Sequence, residues 1–478
     1  MQQLTGLDAA FLALESPGVY GHVGSVCVLD PSGAPRPITL ELLTEIISAR
    51  LHLVPPFRRR LAQVPFGFDQ PYWIEDPDFD IEFHVRELAL PAPGDDKQLA
   101  EQAARLHARP LDRSRPLWEL YLISGLSGGR LAIYTKVHHA AIDGVSGNDI
   151  LAALLDRSPT GRELEPAPPW ASEPAPGAAS MLLRSALSLT GHPLRAARMT
   201  TGLIRSLPRL ATSPGRPRLP LVDRLLRRDD GAVLGDNGLR APRTPFNRPI
   251  SAHRRWAFRT VALSDVKRLK QATGLTVNDV VMALCAGALR RWLLDRGELP
   301  DTPLIAAVPV SVRTEEQQGS SGNRVSSMIA PLPTNEADPA ERLRLTHEAM
   351  RAAKEQHGAL PADLLADVTE FAMPALAGQA ARLSARLRLL EWLNPFNLII
   401  SNVPGPNVAL YYAGAELIAY YPLSAIAPGQ GLNITVMSYR NGMHFGLIAC
   451  RELMPDLEDL ADHLVTELQT LLALLPAR

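Results

Sequence analysis

A stretch without acidic residues separates two parts of the chain that each alternate between strand-like and helix-like segments. Between Pro174 and Val222 the sequence contains seven arginines but no Asp or Glu. A folded core domain seldom carries so one-sided a charge, so this stretch predicts an interdomain connection that is partly helical. With 478 residues, the chain is also too long for one ordinary hydrophobic core. We therefore predict two domains joined by this connection.

The domain boundaries follow the changes of pattern along the chain. We predict an N-terminal domain over 1–156, a connection over 157–250 and a C-terminal domain over 251–478. The first domain has two helical segments, "ITLELLTEIISARL" and "DDKQLAEQAARLHARPL". Its strand-like segments are "FDIEFHVRELAL", "LWELYLIS" and "RLAIYTKVHH", and a short helix is predicted at "GNDILAALLD". This mixture predicts an α/β (α+β) fold.

The C-terminal domain shows the same kind of alternation. Strands are predicted at "WAFRTVAL", "PLIAAVPVSVR" and "NLIISNVPGP", with helices over 276–297, over about 338–393 and at "DLEDLADHLVTELQTLLALL". Thr276 and Asp279 form a capping-box-like pair at the start of the first of these helices. The segment "LNITVMSYRNGMHFGLIAC" predicts a hairpin with a type I′ turn at Asn441-Gly442.

Composition excludes several classes of protein. The net charge is -1, which argues against a nucleic-acid binder driven by bulk charge. The three cysteines, Cys27, Cys285 and Cys450, are far apart and give neither a disulfide framework nor a CxxC site. The N-terminal segment is not typical of a signal peptide, and no apolar run is long enough to span a membrane. We therefore expect a cytoplasmic protein.

The segment "KVHHAAIDGVSG", at 136–147, concentrates the residues that could carry chemistry. His139 and Asp143 are four residues apart, but a third ligand is missing nearby, so a metal site is not favoured. Packing explains one buried histidine well, but it explains two histidines followed by Asp143-Gly144 poorly. Acid-base catalysis accounts for most of these residues, because neutral histidine can take a proton from a hydroxyl that attacks a carbonyl.

A second short pattern, Gly125-Leu126-Ser127-Gly128-Gly129, matches the G-x-S-x-G elbow of serine hydrolases. That elbow requires a strand, a sharp turn and then a helix. Here the following segment, "RLAIYTKV", is strand-like, so Ser127 is predicted to lie in a hairpin loop.

The motif and its surroundings resemble one enzyme family. "HHAAIDG" is similar to the HHxxxDG signature of bacterial wax ester synthase/diacylglycerol acyltransferases, a form of the HxxxD motif of coenzyme A-dependent acyltransferases and condensation domains. Further blocks resemble the same family: "LTGLDAAFLALE", "VPPFRRRL", "RPLDRSRPLWELYLISGL", "APRTPFNRPIS", "TVNDVVMALCAGALRRWL", "VPVSVR" and "SNVPGP". The resemblance covers nearly the whole chain and is weakest in the Arg/Pro-rich connection.

The resemblance implies two chloramphenicol-acetyltransferase-like domains with an active-site tunnel at their interface. It also implies that acyl-CoA is a co-substrate and that no cofactor or metal is permanently bound. His139 would be the general base, His138 would shape the pocket, and Asp143 would hold the catalytic loop, in which Gly144 allows a positive φ. No residue is nominated for the phosphates of coenzyme A.

Three further residues receive predictions. Asn278 either supports the oxyanion site or simply starts a helix, and the sequence does not decide between these two interpretations. Arg313 is the predicted partner of Asp143 and is otherwise an ordinary surface arginine. Trp118 is predicted to be a packing residue near the strand that leads to the histidines.

The predicted activity is transfer of a long-chain acyl group from acyl-CoA to diacylglycerol, which gives triacylglycerol. Alternatives are wax ester synthesis with a long-chain alcohol, an amide-forming condensation domain, and a non-catalytic lipid-droplet protein. Lipid acceptors predict peripheral association with a membrane or lipid droplet. Its candidate surface is the acid-free stretch, where arginines alternate with apolar residues: Arg195, Arg198, Arg205 and Arg209. The alternative interpretation of that stretch is a solvated interdomain helix.

Overall fold

The computed structural model describes residues 1–65, 69–142, 150, 153–165, 176–189, 241–311, 325–358 and 394–476. Asp143, Gly144 and Arg313 lie outside the described residues. The four arginines proposed for a membrane surface, half of the helix predicted at "GNDILAALLD" and residues 359–393 also lie outside them. The predictions made for these residues therefore stay predictions.

The N-terminal part of the chain alternates between strands and helices. Its elements are β1 (Gln2–Gln3), α1 (Gly6–Leu14), β2 (His22–Asp30), α2 (Leu40–Arg50), β3 (Arg59–Ala62), β4 (Tyr72–Glu75), α3 (Ile81–His84), β5 (Val85–Ala89), α4 (Asp96–His107), β6 (Trp118–Ser124) and β7 (Leu131–His138). One helix of the connection follows, α5 (Ala178–Leu189).

The C-terminal part repeats this alternation with longer helices. Its elements are β8 (Arg254–Ala262), α6 (Leu263–Thr273), α7 (Val277–Leu294), β9 (Leu304–Ser311), β10 (Val325–Leu332), α8 (Pro339–Gly358), β11 (Leu398–Pro404), β12 (Tyr411–Tyr412), β13 (Ala415–Leu423), β14 (Leu432–Tyr439), β15 (Gly442–Cys450) and α9 (Leu457–Ala473).

Two large sheets organise the described residues. One has the strand order β12-β13-β2-β7-β6-β5 and the other β10-β9-β11-β14-β15-β8, and a small sheet has the order β1-β4-β3. Strand β13 comes from the C-terminal part, yet it pairs antiparallel with β2, for example Leu417 with Leu29. The N-terminal sheet is therefore completed by a strand that lies almost 400 residues further along the chain.

The two parts also share a hydrophobic core. Val26 and Tyr134, on one face of the N-terminal sheet, belong to the same buried cluster as Trp256 and Phe258 of β8. The other face of this sheet packs against α2, where Leu43 and other apolar residues are fully buried. Burial of apolar surface between the two parts therefore holds them together. The pairing of β13 with β2 adds a direct backbone connection between them.

Local sequence signals explain where the helices begin. At α4, Asp95 and Gln98 form a capping box. At α7, the side chain of Thr276 accepts from the Asp279 amide, and the Asp279 carboxylate accepts from the Thr276 amide. This confirms the predicted cap. Helix α7 is buried on nearly all sides, which explains its continuous apolar sequence.

Two sequence predictions are wrong in detail. The segment "FDIEFHVRELAL" is not one strand, because Ile81–His84 forms a helical turn, N-capped by Asp80, before β5. The turn of the β14–β15 hairpin lies one residue earlier than predicted. Tyr439 pairs with Gly442, so Arg440 and Asn441 form the loop, and Arg440 has a φ of 50°.

One other prediction is confirmed. Ser127 lies in a short turn between β6 and β7, which pair antiparallel, so the strand-turn-helix geometry of a nucleophile elbow is not present there. The three cysteines are free and buried.

No single helix in the described part of the chain is long and apolar enough to span a membrane. Helices α6 and α7 together pass that test of length and composition, but they are bent by 106° at their junction.

Candidate active site

Strand β7 ends at the two histidines and lies between β2 and β6 in the N-terminal sheet. The amide of His138 donates to the carbonyl oxygen of Leu117 at 2.9 Å, and the amide of His139 donates to that of Gly21 at 2.8 Å. A 3₁₀ turn, His139–Ile142, follows directly. Backbone hydrogen bonds to both neighbouring strand segments therefore fix the place where the histidines leave the sheet.

Both ring nitrogens of His138 are occupied. Its Nδ1 accepts from the amide of Ala140 at 3.1 Å, and its Nε2 lies 3.1 Å from Oε1 of Glu15. Because Nδ1 accepts, the ring proton is on Nε2 and is donated to the carboxylate. His138 is only 2% exposed. This geometry leaves the His138 ring no lone pair with which to take a proton from a substrate.

Glu15 is the charged group of the site that the sequence analysis missed. Its Oε1 also accepts from the amide of Gly21 at 2.7 Å, and its Oε2 accepts from Nε of Arg113 at 3.1 Å. Burial by itself would raise the pKa of Glu15, but the hydrogen bonds from His138, Gly21 and Arg113 outweigh it and lower the pKa to about 2. Glu15 is therefore ionised at neutral pH.

The ring of His139 is held differently. It stacks on Phe11 of α1, with 4.3 Å between the ring centroids and an interplanar angle of 20°. Burial disfavours the imidazolium form and lowers the pKa of His139 to about 4. His139 is therefore neutral at pH 7, which is the state that a general base requires.

An apolar cavity of about 90 Å³ lies against the N-terminal sheet, beside the same turn. Ile133, Thr135 and Val137 line it from one face of β7, and Ile142 lines it from the turn that begins with His139. The remaining lining residues come from β2, α2, β6, the segment after the motif, β12 and β13: Val23, Gly24, Ser25, Cys27, Ile47, Leu120, Ile150, Leu154, Leu155, Tyr412 and Tyr420.

Buried polar groups on the opposite face of β7 connect the strand to α4. Lys136 is fully buried, and its ammonium lies 3.0 Å from Oε2 of Glu119 and 3.2 Å from the carbonyl oxygens of Leu106 and Arg109. Each of these oxygens accepts a hydrogen bond from the Lys136 ammonium, whose charge would otherwise be costly to bury. The strand that delivers the histidines is thus anchored at the C-terminal end of α4.

Trp118 is a packing residue, as predicted. It is 1% exposed, it stacks on Phe57 and on His84 with 4.5 Å between centroids in each pair, and its Nε1 donates to the carbonyl oxygen of Phe57 at 2.9 Å. Its backbone pairs with Val137 on β7. Trp118 therefore supports the strand that leads to the histidines.

Asn278 lies at the first turn of α7 and contacts the "SNVPGP" strand. Nδ2 of Asn402, on β11, donates to its Oδ1 at 3.3 Å. The neighbouring Asp279 is occupied by the helix cap and by His347, whose Nδ1 lies 3.0 Å away. The position of Asn278 at the start of α7 fits either of its two readings, so its role stays a prediction.

Comparison with known proteins identifies the family. Residues 4–281 match the wax ester synthase/diacylglycerol acyltransferase catalytic domain, and residues 321–472 match the C-terminal domain of the same family. The chain belongs to the wax ester synthase/diacylglycerol acyltransferase family. The resemblance that the motifs predicted is thereby confirmed, and with it an acyltransferase activity.

Curated relatives of this acyltransferase extend over nearly its full length. It is 38% identical over 469 residues to a probable diacylglycerol O-acyltransferase, tgs2, of Mycobacterium tuberculosis, covering 97% of each chain. It is 33% identical over 478 residues to the O-acyltransferase WSD of Acinetobacter baylyi, covering 98% of this chain and 96% of the relative.

Solved structures confirm the predicted architecture of the acyltransferase. The wax ester synthase/diacylglycerol acyltransferase from Marinobacter aquaeolei is similar with a TM-score of 0.68 and 29% identity, covering 98% of both chains. The first condensation domain of the calcium-dependent antibiotic synthetase has a TM-score of 0.54 at 18% identity, covering 100% of this chain and 97% of that one. This second likeness shows the fold alone, which is the predicted chloramphenicol-acetyltransferase-like arrangement of two domains.

Among the described residues of the acyltransferase, no three His, Cys, Asp or Glu side chains are grouped so that they could hold a metal ion. The described site offers a neutral histidine beside an apolar cavity and a partly buried carboxylate. The roles of His139, His138, Asp143, Gly144, Asn278 and Arg313 in that chemistry stay predictions.

Proposed function

We propose that the enzyme transfers a long-chain acyl group from acyl-CoA to the free hydroxyl of diacylglycerol, with His139 as general base. The observation that supports this most directly is a neutral histidine on a turn that also lines an apolar cavity. The relatives named as diacylglycerol O-acyltransferases support the choice of acceptor. Acyl-CoA is a co-substrate in this proposal.

The proposed reaction needs no covalent acyl-enzyme. His139 takes the proton of the acceptor hydroxyl while its oxygen attacks the thioester carbonyl, which gives a tetrahedral oxyanion. The carbon–sulfur bond then breaks, and the proton on His139 passes to the coenzyme A thiolate as it leaves. Burial makes the imidazolium of His139 short-lived, because the ring returns to its neutral state as soon as the proton can leave.

The cavity is the proposed site of the acyl chain. It is bordered by apolar side chains of β2, β7 and α2, and Ile142 connects it to the turn of His139. A chain placed there would bring its carbonyl carbon to the end of β7, where the histidines lie. Burial of each methylene would add about 0.8 kcal/mol to binding, which favours long chains.

Wax ester synthesis with a long-chain alcohol is the second candidate function, because the relative from Marinobacter aquaeolei is named for both activities. Purified protein offered radiolabelled palmitoyl-CoA with either diacylglycerol or hexadecanol tests the two proposals. We expect triacylglycerol as the main product, and ester from both acceptors would show dual activity. No ester from either acceptor would contradict both proposals.

We also propose that the enzyme associates peripherally, from the cytoplasm, with the inner face of the membrane or with lipid droplets. The chemistry of the acceptors supports this proposal, and so does the basic stretch that holds Arg195, Arg198, Arg205 and Arg209. Flotation with anionic liposomes tests it, comparing the wild type with the four arginines changed to Gln. We expect the wild type to float and the variant to stay behind. Equal flotation would remove the basic stretch from the proposal.

A further inference from the structure

Glu15 contacts both of the chain segments that hold the two histidines. It follows α1 directly, and its Oε1 accepts from the amide of Gly21 and from Nε2 of His138. The carbonyl oxygen of Gly21 in turn accepts from the amide of His139. One carboxylate oxygen thus fixes the ring of His138 and the segment that binds the backbone of His139.

The packing around this oxygen is close. A Cβ at Gly21 would lie 3.0 Å from Nε2 of His138 and 3.3 Å from its Cε1. Glycine at this position therefore lets the ring approach the backbone. The side chain of Glu15 is only 16% exposed, so its hydrogen bonds are largely protected from competing water.

Arg113 holds the other oxygen of the carboxylate and the end of α1. Its Nε lies 3.1 Å from Oε2 of Glu15, and its Nη2 donates to the carbonyl oxygen of Leu12 at 2.6 Å. Helix α1 also carries Phe11, on which the ring of His139 stacks. The Glu15–Arg113 pair therefore joins the helix that supports His139 to the carboxylate that orients His138.

We propose that Glu15 is a positioning residue for acyl transfer: its hydrogen bond to His138 fixes the Nε2–H tautomer and, through it, the turn from which His139 acts. In this tautomer Nδ1 of His138 accepts from the amide of Ala140, the residue directly after His139. Glu15 does not relay a proton, because that amide occupies the far nitrogen of the ring. The inference rests on the proposed function, in which His139 is the base.

The first test replaces Glu15 by Gln. Both oxygens of Glu15 accept hydrogen bonds, so either orientation of a glutamine amide turns its NH2 group against a donor, which is Arg113 on one side or Gly21 and His138 on the other. Glu15→Gln also removes the negative charge. We expect kcat to fall about 10- to 100-fold, because a small misplacement of a catalytic group is enough to cause a loss of this size. The KM values for acyl-CoA and acceptor should stay within about threefold, since binding does not need the aligned base.

Glu101→Gln is the matched control. Glu101 is a surface carboxylate of α4 that also faces an arginine, Arg105, at 3.8 Å. We expect its kcat to equal that of the wild type. A kcat of Glu15→Gln equal to that of this control would overturn the proposal, as would a variant that loses only thermal stability while each folded molecule keeps full activity.

The second test asks whether Glu15 acts through His138. Residues that act through one another have non-additive effects on a rate. In the background His138→Ala, the change Glu15→Gln should therefore lower kcat less than about twofold. If the two losses multiply instead, Glu15 acts independently of His138 and the proposal is wrong.

The third test reads the tautomer directly. In ¹⁵N-histidine-labelled protein, long-range ¹H–¹⁵N correlations show which ring nitrogen carries the proton, and the signal of His138 is assigned by its absence in His138→Ala. We expect the Nε2–H form in the wild type and its loss in Glu15→Ala. The proposed function fails if the wild type makes no ester, whereas the positioning role fails if an active wild type shows His138 in the Nδ1–H form.

Discussion

The two large sheets have similar architecture, but they differ in what their strands bury. In the N-terminal sheet, β2, β6 and β7 bury ionisable side chains: His22, Glu119, Lys136 and His138. In the C-terminal part, the buried ion pair of Arg342 and Glu467 belongs to helices α8 and α9, and the sheet packs on the apolar helix α7. Burying charge costs stability unless each charge is paired. The strands of the C-terminal sheet bury fewer such groups, Arg254 of β8 and His444 of β15. In the N-terminal sheet, two of them, Lys136 and His138, lie on the strand that ends at the candidate site.

The largest expected effect comes from the base itself. His139→Ala should lower kcat/KM about 10²- to 10⁴-fold, the usual contribution of a general base. His138→Ala should retain more activity, because both nitrogens of that ring are used to hold structure. Initial rates of ester formation over a range of acyl-CoA concentrations give kcat/KM for both variants. The reverse order of activities would mean that the roles of the two histidines are exchanged.

A matched change in the C-terminal part should affect stability and leave the chemistry alone. In Gly287→Ala, the added Cβ would clash with the carboxylate of Glu467 and displace it from Arg342. We expect a loss of about 3 kcal/mol in the free energy of unfolding, measured with urea, because a buried charge loses its partner. Activity per folded molecule should be unchanged.

The control for this change is Gly177→Ala, where an added Cβ meets nothing within 4 Å. Its free energy of unfolding should change by less than about 1 kcal/mol. Equal losses from the two substitutions would show that Gly287 is not needed to seat Glu467. A loss of activity per folded molecule in Gly287→Ala would contradict the expectation that this change affects stability and not the chemistry.

Filling the cavity should change chain-length preference. Ser25 lines the cavity, so Ser25→Leu adds apolar volume to the proposed acyl site. We expect the ratio of palmitoyl-CoA to butyryl-CoA activity to fall about tenfold, equivalent to roughly 1.4 kcal/mol of lost discrimination. The control is Val26→Leu, since Val26 belongs to the cluster on the opposite face of the sheet. Equal ratios in both variants would place the acyl chain elsewhere.

The smallest expected effect is seen in the dependence of activity on pH. The active form of His139 is the neutral one, and it is lost as pH falls through its pKa of about 4. At pH 5.5, a base with this pKa is still almost fully neutral, whereas an ordinary histidine would be only about one-tenth neutral. We therefore expect kcat/KM at pH 5.5 to be close to its value at pH 7. A tenfold fall would show that His139 is solvated like a surface histidine.

Local patterns in the sequence predicted the elements whose signals are local. The capping pair of α7, the strands β6 and β7 and the amphipathic helix α4 all depend on neighbours within a few residues. The β14–β15 hairpin was predicted, but its turn was misplaced by one residue, because strand register is set by pairing and not by the Asn-Gly sequence alone. The glycine at 442 is explained instead by close packing, since a Cβ there would lie 2.7 Å from Nε2 of His444.

Features that depend on distant pairing were missed. Strand β13 joins β2 from the other end of the chain, and no periodicity in Ala415–Leu423 indicates which sheet it enters. Glu15 and His138 are 123 positions apart and have no motif spacing in common. Glu15 is the last residue of the block "LTGLDAAFLALE", and its place in that block was the signal that could have drawn attention to it.

The sequence by itself determined the family, the two-domain α/β plan and the pair of histidines, because motifs and periodicity are properties of neighbouring residues. Only the tertiary structure decided why the two histidines are unequal. The Glu15 carboxylate and the Ala140 amide occupy the ring nitrogens of His138, while burial against Phe11 keeps His139 neutral. Hydrogen bonding and desolvation depend on which groups the fold brings together, and those groups lie on segments far apart in the chain.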